Sequence, residues 1–132
     1  MTLWDMEGTA NGHRRTAVCK FSSGEDHVHD QRLVKYDCIA SIAHARTLGK
    51  AKILTKGDVE KLVAGLNEII ALDAAGNFKI EPKDEDSHTA IESYLTKKRG
   101  DAGKRIHAGR SRNDQVAAAI RLYYKDELWA VR

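Results

Sequence analysis

The stretch Gly109-Arg110-Ser111-Arg112-Asn113-Asp114-Gln115, preceded by Lys104-Arg105-Ile106-His107-Ala108, decides how the rest of the chain is read. It reads as a loop that turns into a helix. Ser111 is a good N-cap, because its hydroxyl can accept from a backbone N–H two or three residues on. Asp114 stands three positions later and can reach back to the N-cap N–H, which completes a capping-box pattern. From Val116 the spacing becomes helical, with Val116, Ile120, Tyr123, Tyr124 and Leu128 on one apolar face. Three cations, Arg105, Arg110 and Arg112, are expected around the positive end of the helix dipole. Such a place suits an anion, two carboxylates as well as a phosphate.

Immediately upstream, Asp84-Glu85-Asp86-Ser87 opens another predicted helix, with acidic residues at its start and Lys97-Lys98-Arg99 at its end, as the dipole favours. Ile91, Tyr94 and Leu95 are its expected core face, and His88 lies on the same side. Gly100 ends it, and Gly100-Asp101-Ala102-Gly103 reads as a turn back to the opening stretch. Before Pro82, Phe78 to Ile80 reads as a short extended piece. The clearest helix runs from an N-cap at Thr55, with Asp58 at the capping-box position. Its stripe is Val59, Leu62, Val63, Leu66, Ile69 and Ile70, and Gly76 is the expected C′ glycine.

A first helix is expected from about Asp30 to Lys50. Leu33, Tyr36, Ala40, Ala43, Thr47 and Ala51 form one stripe, and Ile39 with Ile42 a second, so this helix is expected to be covered on two sides. Asp37 and His44 lie on nearly one face and read as polar groups satisfied within a helix interface. Residues 1–26 show no periodicity and are read as an irregular arm, with 27–132 as one helical domain. The last helix is still amphipathic at Arg132 and is expected to be truncated there. Its apolar surface and that of the first helix predict self-association or dependence on a partner.

The chain has 132 residues, enough for one domain with a core, and 42% hydrophobic with 31% charged residues is an ordinary globular composition. A net charge of +3 from 22 basic and 19 acidic residues is too mild to point to nucleic acid, and no aromatic residues interleave the arginines. No apolar run reaches the roughly 18 residues of a membrane span, and the N-terminus lacks an apolar run of signal-peptide length. Cys19 and Cys38, with His27 and His29, match no common zinc spacing, so free thiols in a reducing cytoplasm and no metal are expected. No P-loop, dinucleotide fingerprint or nucleophile elbow is present. His88 is the one acid/base candidate in an interesting place, although a lone histidine on an apolar face is more often structural. Residue chemistry alone reaches a helical protein with an anion site at Ser111, Arg112 and Asn113.

The run His107-Ala108-Gly109-Arg110-Ser111-Arg112-Asn113-Asp114-Gln115 closely resembles the hallmark His-Thr-Gly-Arg-Ser-Arg-Asn-Asp-Gln of the argininosuccinate lyases, with Ala108 in place of threonine. Asp84-Glu85-Asp86-Ser87-His88-Thr89-Ala90-Ile91-Glu92 is similar to the family's Asp-Glu-Asp-x-His segment. Gly100 to Lys104 is similar to its glycine turn, Ser41-Ile42-Ala43-His44-Ala45 to its first helix, and Leu3-Trp4 to its start. The resemblance covers nearly the whole chain. Fumarase and aspartase relatives share the helical architecture but differ in the 107–115 run.

The resemblance implies an all-α fold of about four helices, the N-terminal domain of the fumarase/aspartase-type fold without the long central bundle. It implies β-elimination of argininosuccinate to arginine and fumarate, the last step of arginine biosynthesis, in the cytoplasm and without a cofactor or metal. Ser111, Arg112 and Asn113 would bind the succinyl carboxylates, with His88 as a supporting hydrogen-bonding group. An ungapped match places Asp26 where many members have a substrate-binding serine.

The chain also departs from the family. Members are much longer, and their general acid/base histidine and catalytic serine fall in parts with no counterpart here. Asp5-Met6-Glu7-Gly8 stands where a glycine-rich stretch is usual. Lys52 stands where glycine is common, with Gly49 nearby. Family members are homotetramers with sites shared between subunits, so the isolated chain is expected to be inactive. The competing expectation is a non-catalytic structural or binding protein on a lyase fold, as the delta crystallins are.

Overall fold

The computed structural model describes residues 21, 24–84 and 86–132. Most of the expected irregular arm (1–20, 22 and 23), with the Leu3-Trp4 start and Cys19, lies outside the described residues, and Asp26, its last residue, opens a helix. What is described is all-α: no strand occurs among these residues, and four long helices carry the structure. A short helix α1 (Asp26–Asp30) passes through a 3-10 turn, Gln31–Leu33, into α2 (Val34–Lys50). Then follow α3 (Lys56–Ala74), a 3-10 turn at Pro82–Asp84, α4 (Ser87–Arg99), a short α5 (Asp101–Lys104) and α6 (Arg112–Val131). Helix α2 is central, packing against α3, α4 and α6.

Helix α3 follows its sequence closely. The Thr55 hydroxyl accepts from the Asp58 N–H at 3.1 Å, which satisfies one of the orphan donors of the first turn. Leu62, Leu66 and Ile69 are fully buried, each worth about 2 kcal/mol of transfer free energy. At the other end Gly76 takes φ +73°. The Asn77 N–H reaches the Leu72 carbonyl at 2.8 Å and the Gly76 N–H that of Asp73 at 2.9 Å, the double bond of a Schellman cap. The extended piece that follows buries Phe78 and Ile80. It is held by the Gln31 amide, which donates to the Phe78 carbonyl at 3.0 Å and accepts from the Ile80 N–H at 3.1 Å.

Helix α2 departs from its sequence reading in two ways. Its helical path starts at Asp26, four residues earlier than expected. Its buried face is Val34, Asp37, Cys38, Ser41, Ala45 and Leu48, whereas Ala43, Thr47 and Ala51 are exposed. An apolar-only count missed this face because two of its members are polar and find partners inside the protein.

The end of α2 explains one departure from the family pattern. Lys52 takes φ +59°, and the Ile53 N–H closes back on the Leu48 carbonyl at 3.0 Å while the Lys52 N–H meets Gly49 at 3.1 Å. This is the same Schellman geometry as at Gly76, with a side chain where the left-handed backbone favours none. Lys52 is exposed, so nothing else is lost on replacement. Lys52→Gly is therefore expected to raise stability by about 1 kcal/mol, read as a higher urea midpoint; an unchanged or lower midpoint would contradict it.

The segment read as a glycine turn contains the short helix α5 instead. Gly100 turns the chain with φ +62°, and Gly103 then lies directly on the end of α4. A Cβ at Gly103 would stand 2.5 Å from the Leu95 carbonyl carbon and the Thr96 nitrogen. Backbone cannot step aside, so only glycine fits, and this close contact brings the chain back toward the start of α6.

Helix α6 has the expected cap in full. Ser111 accepts from the Asp114 N–H, and the Asp114 carboxylate accepts from the Ser111 N–H at 2.9 Å. Its buried face is not the expected one. Gln115 and Ala119 are buried, while Tyr124 (59% exposed), Leu128 (72%) and Trp129 (63%) stand open. Helix α6 lies on α2 as far as Tyr123, edge-on to Tyr36 at 5.6 Å, and Asp126, which pairs with Lys35 at 3.7 Å. No helix is long and apolar enough to cross a membrane, among the described residues.

Candidate functional site

The site grows from two helix starts that face each other. At α4 the N-cap is Asp86, whose Oδ1 accepts from the Thr89 N–H at 2.8 Å. At α6 the N-cap is Ser111. Arg112 bridges them: its guanidinium donates to the Asp86 carboxylate and, at 3.3 Å, to the Thr89 hydroxyl. Thus one carboxylate both caps α4 and anchors the first residue of α6.

Ser111, Arg112 and Asn113 are exposed together at the tip of α6. The cap uses the Asp114 N–H, and the Gln115 N–H is bonded to the Ser111 carbonyl. The N–H groups of Arg112 and Asn113 make no such bond among the described residues, and they point along the positive end of a 20-residue helix. Beside Asp86 lie more carboxylates. Asp30 accepts from the Ser87 N–H at 3.4 Å, and burial, with repulsion from Asp86 and Asp26, raises its carboxyl above the ordinary value. Asp26 is exposed at the first position of α1. The structure therefore arranges a cationic, N–H-rich tip against an acidic edge.

His88 lies beneath that surface, 3% exposed on the first turn of α4. Its Nδ1 meets Asp37 Oδ2 of α2 at 2.5 Å. Asp37 is itself buried and accepts from the Ser41 hydroxyl at 3.4 Å. Ser41 in turn accepts from Arg110 at 3.1 Å. Arg110 lies 3.4 Å from His107 Nδ1, and the buried Gln115 amide also donates to that nitrogen. Burial above all, with Arg110 next, holds the His107 ring down at about 4. His44 stands nearby, its Nε2 donating to the Ala108 carbonyl at 2.9 Å, so Asp37 is satisfied at a helix interface as expected, and His44 by the loop that leads to α6.

The expected cluster of three cations is not what forms. Arg105 turns away to Asp58 on α3, 2.9 Å distant and 47 residues off in sequence. Arg110 is drawn inward to Ser41, so among the three only Arg112 is at the tip. Asp86, Thr89, Ser41 and Gln115, which hold the site together, were not singled out in sequence. Each lies in a stretch that resembles the family, but only Asp86 had a physical reading of its own, as part of the dipole-compensating Asp84-Glu85-Asp86 run. No group of His, Cys, Asp or Glu able to hold a metal occurs among the described residues, where Cys38 is buried.

The described residues thus form an all-helical fold in which Arg112 joins two capped helix starts. A family model described as Lyase matches residues 19–131, and the chain belongs to that family. It is 50% identical over 130 residues to the argininosuccinate lyase of Thermotoga neapolitana, covering 98% of this chain and 32% of that protein. It is 57% identical over 99 residues to that of Geobacter sulfurreducens, covering 75% of this chain and 22% of the relative. The argininosuccinate lyase of Sorangium cellulosum is 42% identical over 126 residues, 96% of this chain and 28% of its own. The chain thus spans about a third or less of the length of these relatives.

Proposed function

We propose that this chain forms the substrate-carboxylate wall of an argininosuccinate lyase, a carbon–nitrogen lyase that eliminates fumarate from argininosuccinate and releases arginine. The observation that carries the reading is the pair of unbonded N–H groups at Arg112 and Asn113, beside the Arg112 guanidinium. Elimination begins when a proton leaves the carbon next to a carboxylate. That carboxylate then takes up a second negative charge, so donors fixed around it are worth more in the transition state than in the ground state. The start of α6 supplies such donors on a rigid element, already held by the Ser111–Asp114 box.

In this reading Ser111, Arg112 and Asn113 hold the succinyl carboxylates, and His88 supports them from the start of α4. Arg112 keeps its link to Asp86 and Thr89 while its outer edge meets substrate. The acidic edge of Asp26, Asp30 and Asp86 complements the guanidinium half of argininosuccinate, and a cation there would offset the burial, and then the repulsion, that raise Asp30. The groups that move protons belong to other parts of the lyase and, in a tetramer, to other subunits. The chain binds and orients; it does not transfer the proton. A cytoplasmic enzyme of arginine biosynthesis follows from the same reading.

Fumarate release from argininosuccinate, followed by ultraviolet absorbance, tests this. The intact gene product is expected to turn over and the isolated 132-residue chain is not. No turnover by the intact gene product would overturn the lyase assignment. Robust turnover by the isolated chain would overturn the division of labour.

A further inference from the structure

We infer that Asp37 is a positioning residue of the carboxylate site, acting through His88 on one side and through Ser41 and Arg110 on the other. The inference rests on the lyase reading for its kinetic consequence and on geometry for the rest. Asp37 lies in the first turn of α2, away from the starts of α4 and α6 in sequence, yet its two carboxylate oxygens reach toward both of them. Oδ2 meets His88 Nδ1 at 2.5 Å, 51 residues away. Oδ1 accepts from Ser41, whose oxygen accepts from Arg110, the residue immediately before the Ser111 cap.

A carboxylate 1% exposed is costly to bury. If Asp37 served only to staple α2 to α4, an apolar pair of similar volume would do so at least as well, since desolvation offsets most of what a buried ion pair gains. What an apolar residue could not do is fix the imidazole. With Asp37 accepting at Nδ1, the ring cannot rotate or exchange tautomers freely, and Nε2 is set as the nitrogen left to act. The hydrogen bond that holds His88 among the described residues is made at Nδ1, which leaves Nε2 disengaged from Asp37. The second oxygen, through Ser41, keeps Arg110 inward, so the guanidinium does not compete with Arg112 for the anion at the tip. One buried carboxylate thereby sorts two neighbouring arginines and aims one histidine.

The test uses the intact gene product with argininosuccinate. Asp37→Asn and His88→Asn are each expected to lower kcat/KM about tenfold, and the double variant is expected to fall no further than either single one. Additive losses, about a hundredfold in the double variant, would mean that Asp37 does not act through His88 and would overturn the inference. A second readout does not need turnover: nitrogen-15 spectra of the histidine rings. His88 is expected to hold its proton at Nδ1 in the wild type and to redistribute it in Asp37→Asn; an unchanged ring would overturn the inference. If the wild type fails to cleave argininosuccinate, the lyase reading falls and the ring spectra still decide the role of Asp37. Should Asp37→Asn fail to fold, Asp37→Glu, which keeps the charge but moves it one methylene outward, enters the same cycle with the same expected outcomes.

Discussion

Arg112→Ala is expected to lower kcat/KM for argininosuccinate about a hundredfold in the intact gene product, the loss usual when one donor to a developing oxyanion is removed. The fold itself should barely notice. The Arg112–Asp86 pair is half exposed, with side-chain exposures of 51% and 21%, and exposed ion pairs contribute under about 1 kcal/mol. Asp86 keeps its cap bond to the Thr89 N–H without Arg112. The cap of α6 depends on Ser111 and Asp114, not on Arg112. Activity and stability are thus separable at this residue, which makes it the sharpest probe of the cradle. Arg112→Lys should recover little, because an ammonium cannot span Asp86, Thr89 and a substrate carboxylate at once. Asn113→Ala should lower kcat/KM in the same direction while leaving the unfolding midpoint in place. Turnover within twofold of wild type in Arg112→Ala would remove the carboxylate-binding role of the tip.

The parts of this structure that could be read in advance are those written by local chemistry. A serine three residues before an aspartate gave the start of α6, Thr55 gave the start of α3, and Gly76 its end, since a cap involves only neighbours in sequence. The hydrophobic stripe of α3 was legible because every buried member is apolar. The α2 face was not, because Asp37 and Ser41 belong to it, and their partners His88 and Arg110 lie 51 and 69 residues away. The same distance defeats any reading of where an arginine points. Arg105, Arg110 and Arg112 look alike in sequence, and only the placement of Asp58, Ser41 and Asp86 sends them in three directions. The stripe expected on α6 failed for a different reason: beyond Tyr123 little of the described structure lies against it, so spacing alone could not say what is buried. Fold class came from composition and caps. The proposed carboxylate role of the α6 tip rests on the 107–115 run, and the polar layer beneath it could be seen only in three dimensions.

That supporting layer should also set how stability depends on pH, through His107. Its Nδ1 receives hydrogen bonds from the Gln115 amide and Arg110, so it works as an acceptor, and a proton added there would face two donors and a guanidinium charge. Nε2 is buried without a partner, and Glu92 at 3.8 Å is too far to accept from it. Burial first and Arg110 second thus depress the ring from 6.5 to about 4. The unfolded ring takes up a proton below 6.5, the folded ring only near 4, so in between the unfolded chain binds more protons. Stability from this group is therefore complete above pH 6.5 and is lost as pH falls toward 4, by about 3 kcal/mol over the whole window. His44 is also lowered, by burial above all, and works in the same direction, while the depressed carboxylates of Asp58 and Asp114 act only below their ordinary range. Urea unfolding at pH 7.5 and pH 5 is expected to differ by about 2 kcal/mol in the wild type. In His107→Gln, whose amide oxygen can still accept from Gln115 and Arg110, most of that difference should vanish. A wild-type slope that survives the substitution unchanged would show that His107 is not the group that titrates.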